Sequence, residues 1–432
     1  MPPAWSEARA EAHLRSLELF GMRFGLDRMR RMMTALGAPQ RRYDTIHVVG
    51  TNGKTSTTRM VAAILQRHGL RTAAYTSPHL ISYRERLQVG ERDMSADAFA
   101  KAIARAVSAA ERVNRTLAGD DHVTQFELLT AAALWQIAEQ GVQVAVVEAG
   151  LGGRYDATAV IDSRLTALTN VGLEHTRWLG PTLRDIAEEK LAVVRPATTL
   201  VLGAGLADEA LAVAERVAGE RGARVVVAPH SDGGAPLGAA GEFQQRNFAL
   251  ARVVAETYLR EAAIPVREEA VREAATATQV PGRLQVVGHD PLTVLDGAHN
   301  PAAVQALVQA LPGVVGERPL ALVLGVLEDK DAVGMLGPLL ATARRAWFSA
   351  PPSERALSPA ALQSLARQLG FERAVCQPSP ARALAEARRW ASERGGAVLA
   401  TGSVYLVGDL LGALAAQRAA EDSGDARRRA AS

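Results

Sequence analysis

Apolar residues follow two patterns that alternate along the chain. Short uninterrupted apolar runs predict strands buried on both faces, as in a parallel sheet. Between them, apolar positions recur with a period near 3.6, which predicts helices packed on one side. This alternation favours an α/β fold with a largely parallel sheet. In the first part of the chain the predicted strands lie at about 46–49, 71–76, 142–147, 165–169 and 199–202.

Helical periodicity fills the stretches between these strands. It covers 5–36, 57–68, 95–117, 126–139, 183–194 and 247–260. Pro281-Gly282 is a linker signal, and beyond it the alternation starts again, with strands at 292–295, 320–324, 346–349 and 397–401 and helices at 301–311, 331–343, 358–369 and 406–416. We therefore predict a larger α/β domain with N-terminal helices over 1–281 and a smaller Rossmann-like α/β domain over 282–420. The polar, alanine-rich tail at 421–432 is predicted to be disordered.

The first strand leads into a glycine-rich turn, Gly50-Thr-Asn-Gly-Lys-Thr-Ser56, and a helical pattern follows from Thr57. Strand, tight glycine turn and helix form the layout of a phosphate cradle, in which backbone N–H groups and a lysine hold the oxyanions. The commonest form of the motif has glycine at position 48, where this chain has Val48. The stretch predicts nucleotide binding; the alternative is a structural glycine turn with a surface lysine.

Polar residues also stand at the ends of the neighbouring predicted strands. Gly53, Ser77, Glu148 and His175 each follow a strand. Ligands of open α/β sheets bind beyond the carboxyl ends of the strands, so these four positions should share one edge. Hard oxygen ligands beside a phosphate suit Mg²⁺. The alternatives are a strand-terminal cap for Ser77 and a structural ion pair for Glu148.

Lysine is rare in this chain. The basic residues are almost all arginine, and the lysines are Lys54, Lys101, Lys190 and Lys330. A lysine retained under such bias can be one whose primary amine a guanidinium cannot replace. Lys190 follows Glu188 and Glu189, which is typical of a solvated lysine; the functional alternative is an amine that reacts with CO₂ to give a metal-binding carbamate.

The second predicted domain has its own polar strand ends. Asp296-Gly-Ala-His-Asn-Pro301 follows the strand at 292–295, and Thr401-Gly-Ser403 opens the last helix. Asp296 and His299 could orient a substrate amine or a ribose, and the helix start could hold a carboxylate. Asp-Gly and Asn-Pro are also ordinary turn and helix-start signals.

Composition and charge narrow the functional class. The 432 residues are 48% apolar and 22% charged, as in globular enzymes, and the net charge is only +3. Basic residues are scattered and aromatic content is 4%, so no nucleic-acid partner is expected. The chain has no apolar run long enough for a membrane span and no signal-peptide pattern. With Cys376 as the single cysteine, a disulfide within the chain is excluded and a cytoplasmic location is expected.

At this point the motifs resemble a known family. In order, they are Gly50-Thr-Asn-Gly-Lys54, Thr76-Ser-Pro-His-Leu80 with Arg84-Glu-Arg86, Glu148-Ala-Gly-Leu-Gly-Gly-Arg-Tyr-Asp-Ala-Thr158, Asn170-Val-Gly-Leu-Glu-His-Thr176, Ala187-Glu-Glu-Lys190, Pro281-Gly-Arg283, Asp296-Gly-Ala-His-Asn-Pro301, Gly325-Val-Leu-Glu-Asp-Lys-Asp331 and Thr401-Gly-Ser-Val-Tyr-Leu-Val-Gly-Asp409. They resemble folylpolyglutamate synthase and the bifunctional dihydrofolate synthase, within the Mur ligase superfamily. The resemblance covers about residues 10–412.

The resemblance implies an ATP-dependent ligase that adds L-glutamate to a folate or dihydropteroate carboxylate through an acyl phosphate. It implies Mg²⁺ as cofactor and ATP as co-substrate; a monomer is expected. The implied catalytic residues are Lys54, a carbamylated Lys190 and His299, and the implied Mg²⁺ ligands are Ser77, Glu148 and His175. The ATP contacts would be Thr51, Asn52, Gly53, Lys54, Thr55, Ser56, Asn247, Arg283 and Asp296. Glutamate would meet His299 and Ser403, and the pterin would meet Thr124, Gln125, Phe126, Glu127, Tyr155, Asp156 and Ala157.

Two stretches depart from the resemblance: Thr55, and Leu191-Ala-Val-Val194, which stands where the family usually has Ala-Gly-Ile-Ile. Thr55 stands where this family usually has glycine, whereas the Mur peptidoglycan ligases typically have threonine there. A Mur-type ligase acting on a peptidoglycan precursor is therefore the alternative within the class. A non-enzymatic nucleotide switch is the alternative outside it, although that function gives the Asp296–His299 loop no purpose.

Overall fold

The computed structural model describes residues 5–17 and 25–430, with side chains up to residue 418, and divides into two compact units. The first unit contains the chain up to His79 together with Tyr83–Gly238 and Gln244–Thr278. The second contains Leu80–Ser82, Ala239–Phe243 and the chain from Gln279 onward. The division at Gln279 lies close to the predicted boundary at residue 282.

The elements of the first unit alternate between helix and strand. In chain order they are α1 Glu7–Leu17, α2 Asp27–Ala35, β1 Asp44–Val49, α3 Lys54–Arg67, β2 Thr72–Tyr75, β3 Leu87–Val89, β4 Arg92–Asp93, α4 Ala96–Asn114, α5 Gln125–Glu139, β5 Val144–Glu148, β6 Leu165–Leu168, α6 Thr176–Leu179, α7 Leu183–Leu191, β7 Thr199–Leu202, α8 Asp208–Arg221, β8 Arg224–Val227, α9 Glu242–Glu261 and α10 Glu268–Ala277.

The first unit is built on an eight-stranded sheet with the order β4-β3-β2-β5-β1-β6-β7-β8. Strands β2, β5, β1, β6, β7 and β8 are parallel, and β3 and β4 add an antiparallel edge. All residues of β2, β5, β6 and β7 are buried, which explains why these strands are continuous apolar runs. The strands that precede Ser77, Glu148, the glycine turn and His175 are therefore direct neighbours, β2-β5-β1-β6.

Helices cover this sheet. Apolar residues of α1, α2, α4 and α5 share one buried cluster with β2 and β5, and residues of α7 and α8 share another with β6 and β7. The start of α5 is fixed by a capping box, in which the Thr124 hydroxyl accepts from the Glu127 N–H and the Glu127 carboxylate accepts from the Thr124 N–H. Burial of the amphipathic faces thus holds the strand ends in place.

The second unit repeats the architecture on a smaller scale. Its elements are β9 Gln285–His289, β10 Leu292–Leu295, α11 Pro301–Ala310, α12 Pro312–Val315, β11 Leu320–Leu324, α13 Ala332–Thr342, β12 Ala343–Phe348, α14 Pro359–Gln368, β13 Ala374–Cys376, α15 Pro380–Ser392, β14 Ala397–Thr401 and α16 Val404–Ala430. The six-stranded sheet has the order β13-β12-β11-β14-β10-β9, and only β9 is antiparallel to its neighbour. The predicted fold class, a largely parallel sheet domain with a glycine-rich loop followed by a smaller Rossmann-like domain, is confirmed.

Some predicted elements differ from those observed. The periodic segment over 5–36 forms two helices, α1 and α2, and residues 18–24 between them lie outside the described part. The tail predicted as disordered over 421–432 instead continues α16 as far as Ala430, and the last two residues lie outside the described part. Within the described residues, no helix is long and apolar enough to cross a membrane.

Candidate active site

The glycine turn after β1 is packed so closely that side chains could not replace its glycines. A Cβ on Gly50 would lie 1.9 Å from Thr169 Oγ1, and one on Gly53 would lie 2.4 Å from Asn247 Oδ1. Gly53 also has a φ of 83° at the start of α3, a backbone conformation that favours glycine. Asn247 on α9, one of the predicted ATP contacts, is thus brought against the loop, where its Nδ2 donates to Gln244 Oε1 at 2.9 Å.

Hydrogen bonds tie this loop to the end of β6. The Asn52 N–H donates to Asn170 Oδ1 at 2.9 Å, and the Thr169 hydroxyl donates to the Asn52 carbonyl at 2.7 Å. The Thr51 hydroxyl accepts from the Gly172 N–H at 3.0 Å. The loop is therefore held in shape before any phosphate binds, which lowers the cost of ordering it.

Two lysines meet at one backbone carbonyl of the loop. Lys54 Nζ donates to the carbonyl oxygens of Gly50 and Thr51, both at 3.0 Å, and Lys190 Nζ donates to that of Gly50 at 2.8 Å. Lys190 is only 4% exposed. Burial, followed by the charge of Lys54, lowers the pKa of Lys190 from 10.5 to about 7, against the opposing effects of Glu174 and Asp156. Near neutral pH a substantial share of this amine is therefore unprotonated and nucleophilic.

Oxygen-bearing side chains gather beside the loop. Glu148 is only 2% exposed, and its Oε1 and Oε2 accept from the Thr55 hydroxyl at 3.0 and 2.9 Å. The Ser77 N–H donates to Glu148 Oε2 at 3.2 Å. A carboxylate with hydroxyl groups close by is a donor set of the kind that Mg²⁺ prefers, so the residues present fit that ion.

His175, the third predicted Mg²⁺ ligand, lies at the start of α6. It has a φ of 52°, and its Nε2 lies 3.8 Å from Glu174 Oε1. Within the described residues, no three His, Cys, Asp or Glu side chains are grouped closely enough to hold a metal. The donor set therefore depends on hydroxyl oxygens, and the assignment of His175 as a ligand stays a prediction.

The residues predicted to meet the pterin mostly have structural partners in the first unit. Thr124 and Glu127 form the cap of α5, and Glu127 also accepts from Arg28 Nε at 3.0 Å. Asp156 accepts from the N–H groups of Leu151 and Thr158 at 2.8 and 3.0 Å. Burial raises its pKa, and these hydrogen bonds oppose that rise.

The remaining members of that set differ in exposure. Ala157 is buried, Gln125 and Phe126 are half-buried, and Tyr155 is 51% exposed. Phe126 packs against Gly150, where a Cβ would lie 2.5 Å from its Cζ. Gln125, Phe126 and Tyr155 are thus the members with surface left for a ligand.

In the second unit, the polar strand ends of β10 and β14 lie side by side. Asp296 is 3% exposed, and its carboxylate accepts from the N–H groups of Leu284 and Ala298 at 2.8 and 2.7 Å. The Gly402 N–H donates to the Ala298 carbonyl at 3.1 Å, which joins the two loops. Burial raises the pKa of Asp296, and Arg283 acts in the opposite direction.

Three further predicted residues lie on these loops. His299 Nδ1 lies 2.8 Å from the Gly297 carbonyl; because a carbonyl only accepts, Nδ1 carries the hydrogen. Arg283 Nη1 donates to the Gly282 carbonyl at 3.0 Å. The buried Ser403 hydroxyl accepts from the Tyr405 N–H at 3.2 Å at the start of α16. The second unit therefore gathers Arg283, Asp296, His299 and Ser403 on neighbouring loops, and their roles stay predictions.

Comparisons with known proteins identify the family of the chain. The Mur ligase middle domain matches residues 48–248, and the Mur ligase glutamate ligase domain matches residues 282–404. Folylpolyglutamate synthase from Lacticaseibacillus casei is 34% identical over 364 residues, which are 78% of this chain and 84% of that protein. The chain belongs to the folylpolyglutamate synthase family.

Further relatives support the family assignment over nearly the whole chain. Dihydrofolate synthase/folylpolyglutamate synthase from Bacillus subtilis is 30% identical over 435 residues, covering 94% of this chain and 98% of that protein. The crystal structure of Mycobacterium tuberculosis folylpolyglutamate synthase complexed with ADP and AMPPCP has a TM-score of 0.87 and 29% identity, covering 94% and 99%. The chain is thus an ATP-dependent ligase, as predicted, and the peptidoglycan ligases share only its superfamily.

Sequence reasoning missed two contacts of the site. It gave Thr55 as a predicted ATP contact and as a departure from the family, but it did not foresee that the Thr55 hydroxyl donates to the carboxylate of Glu148. It also missed that His79 is held by Arg86, whose Nε donates to His79 Nδ1 at 3.0 Å. Burial lowers the pKa of His79 to about 3, with a smaller effect of Arg86, so the ring is neutral. The proximity of His79 and Arg86 within one motif was the available signal.

Proposed function

We propose that the chain joins the amino group of L-glutamate to a carboxylate of dihydropteroate or of a folate, with ATP as the second substrate. The observation that carries the proposal is the convergence of Lys54, Lys190, Thr55, Ser77 and Glu148 on the glycine turn after β1. The double name of the Bacillus subtilis relative supports activity on both classes of acceptor.

The proposed reaction has two steps. A carboxylate oxygen of the acceptor attacks the γ-phosphorus of ATP, ADP leaves, and an acyl phosphate forms. The glutamate nitrogen then attacks the acyl carbon, phosphate leaves with the oxygen that it had bonded, and the nitrogen loses its proton. Catalysis of this kind depends on positioning and on stabilising charge at the phosphoryl group.

The loop supplies the phosphate contacts in this proposal. The N–H groups at the start of α3, from Gly53 onward, are aimed at the ligand by the helix itself. Lys54 would exchange the carbonyls of Gly50 and Thr51 for phosphate oxygens, since a charged acceptor bonds an ammonium more strongly. Mg²⁺ held by Ser77 and Glu148, with His175 as the third predicted ligand, would offset the charge of the phosphate oxygens.

Lys190 is proposed to act as a carbamate. Its unprotonated nitrogen bonds the carbon of CO₂ and releases one proton, which leaves one N–H on that nitrogen. That N–H can keep donating to the Gly50 carbonyl, now 2.8 Å away. The new negative group would attract Lys54 instead of repelling it and would supply oxygen atoms that can bind a metal ion.

The second unit is proposed to bind glutamate. With the hydrogen on Nδ1, Nε2 of His299 would be the nitrogen that accepts from the ammonium group of glutamate. Ser403 lies at the start of α16, where N–H groups favour a carboxylate. Asp296 would act by holding these loops together, and Arg283 remains a proposed nucleotide contact.

Phosphate release from ATP tests the proposal. The full chain would be assayed with MgATP and L-glutamate plus dihydropteroate, tetrahydrofolate or a UDP-muramoyl substrate, and the products weighed by mass spectrometry. We expect glutamate-dependent release with a pterin and a product heavier by one glutamyl residue. The two pterin arms separate addition of the first glutamate from addition of later ones. No release with either pterin would overturn the proposal, and release with the UDP-muramoyl substrate alone would support the Mur-type alternative.

A further inference from the structure

A pocket of about 630 Å³ opens in the second unit at the amino ends of its strands. Arg344 and Arg345 lie at the start of β12, Arg373 directly precedes β13, and Trp390 and Arg394 come from the end of α15 and the turn after it. Asp296 and Ser403 follow the carboxyl ends of β10 and β14, which are parallel to β11 and β12. The pocket therefore lies at the opposite edge of the sheet from the proposed glutamate residues.

The pocket has an excess of positive charge. Four arginines line it, against the single carboxylate of Glu372. Within the described residues, Arg344, Arg345 and Arg373 form no ion pair and no side-chain hydrogen bond, and Arg394 pairs with the exposed Glu393 at 2.7 Å. Glu372 lies 4.0 Å from Arg367, outside the pocket. Positive charges gathered with few carboxylate partners give a local positive potential, which attracts an anion.

Aromatic rings support three of these guanidinium groups. The Cζ of Arg345 lies 5.2 Å from the centre of the Trp347 ring, and that of Arg394 lies 5.1 Å from the centre of the Trp390 ring. Arg373 lies 5.7 Å from the Phe371 ring. A guanidinium group held beside an aromatic ring loses rotamer freedom, and its N–H groups can still bind an oxyanion. The groups are thus partly ordered for a ligand.

We propose that this pocket binds a small multivalent oxyanion, a compound with two or more phosphate or carboxylate groups. Arginine forms bidentate hydrogen bonds with both groups, so the chemistry is shared between a phosphate chain and an oligocarboxylate. The volume lies within the range of small-molecule sites. The site is independent of the reaction proposed above, because none of its residues belongs to that machinery.

Fluorine NMR tests the proposal at the site itself. The chain has five tryptophans, and 5-fluorotryptophan labelling would give each a resonance, with Trp390→Phe assigning the one in the pocket. The full chain would be titrated with inorganic tripolyphosphate and, separately, with a γ-linked triglutamate. We expect saturable movement of the Trp390 resonance and of Trp347, whose ring lies 6.3 Å away, while Trp135 in the first unit reports binding elsewhere.

Two matched variants decide the outcome. The double variant Arg345→Ala/Arg373→Ala removes two exposed guanidinium groups that form no ion pair, so it should fold and should weaken the apparent Kd by at least about 10-fold. Arg382→Ala removes an equally exposed arginine of α15 outside the pocket and should bind as the wild type does. If the double variant loses solubility, Arg373→Glu serves as the single charge reversal.

Each outcome of the titrations supports or overturns the proposed binding site. Response to tripolyphosphate alone identifies a phosphate ligand, response to triglutamate alone identifies a carboxylate ligand, and response to both supports the shared chemistry. A Trp390 resonance that moves with neither probe at millimolar concentration overturns the proposal, and so does equal movement in the wild type and the double variant.

Discussion

Both units place polar residues after the carboxyl ends of parallel strands, but they satisfy them differently. In the first unit ionisable side chains approach one another: Lys54 and Lys190 share the Gly50 carbonyl, and Glu148 receives the Thr55 hydroxyl. In the second unit the buried carboxylate of Asp296 is satisfied by backbone N–H groups. Residues at the carboxyl ends of parallel strands can therefore either hold charged groups close together for a reaction or fix the structure of neighbouring loops.

This difference leads to opposite expectations for substitutions. Removing a charge from the first cluster relieves repulsion or a burial cost, so it should reduce activity more than stability. Removing Asp296 leaves buried N–H groups without acceptors, so it should reduce stability directly.

Lys190→Arg should have the largest effect. A guanidinium cannot form the carbamate, and it remains charged when buried. We expect kcat to fall by about 10²–10³-fold, the range for the loss of one charge-stabilising contact, measured as glutamate-dependent phosphate release. Lys101→Arg, which changes an exposed lysine of α4, is the control and should retain activity. Equal activity of the two variants would refute the carbamate role, whereas partial rescue of Lys190→Ala by a short carboxylic acid would support it.

Lys190 should also make folding stability depend on pH. The pKa of Lys190 is about 7 in the folded chain, and the value of the free side chain, 10.5, applies to the unfolded chain. Between pH 7 and 10.5 the unfolded state therefore binds more protons than the folded state. The free energy of unfolding contributed by this group therefore rises from about pH 7 to 10.5 and is lowest below pH 7. Lys190→Met should remove that rise, amounting to a few kcal/mol. Urea unfolding at pH 7 and pH 9 in CO₂-free buffer measures it, and parallel pH profiles for the two proteins would contradict it.

The sequence predicted the central strands of both sheets but not the strands at their edges. Continuous apolar runs revealed β5, β6, β7 and β11, because strands buried on both faces need apolar residues throughout. The strands β3, β4, β8, β9 and β13, at or next to the sheet edges, were missed, because their residues are mostly exposed or half-buried and carry no clear period. The strand-end positions of Ser77, Glu148 and Asp296 therefore followed from the pattern, and the edges of both sheets did not.

Contacts within the site were less predictable than positions. Lys54 and Lys190 meet at a backbone carbonyl, and a carbonyl has no sequence signature. Thr55 and Glu148 are 93 residues apart, so only the paired strands bring them together. For Asp296 the motif suggested a role toward a ligand, whereas its oxygens accept from Leu284 and Ala298, because the loop folds its own N–H groups onto the carboxylate.

Asp296→Ala should mainly destabilise the protein. The N–H groups of Leu284 and Ala298 would lose their acceptor, at a cost of about 1–3 kcal/mol of unfolding free energy. Part of this loss is offset, because the substitution also removes a buried charge. Burial disfavours that charge, as the raised pKa of Asp296 indicates. Asp296→Asn keeps one acceptor oxygen and should lose less. Urea unfolding measures both variants, with the exposed Asp290→Asn as control. If Asp296→Ala were as stable as the wild type, Asp296 would not be needed to hold the loops, and the proposed difference between the two units would be wrong.

Thr55 should give the smallest effect and the sharpest test of how the first cluster works. Its hydroxyl orients Glu148, but the resembled family usually has glycine at this position, so the hydroxyl should tune the site and not be required by it. Thr55→Ser keeps the donor and should match the wild type. Thr55→Ala should raise the Mg²⁺ concentration for half-maximal rate by about threefold, equivalent to about 0.7 kcal/mol, because the Ser77 N–H still holds Glu148. A Mg²⁺ titration of the rate measures this. A loss as large as that of Lys190→Arg would mean that Thr55, Glu148 and the lysines act as one unit, since effects of residues that act together are not additive.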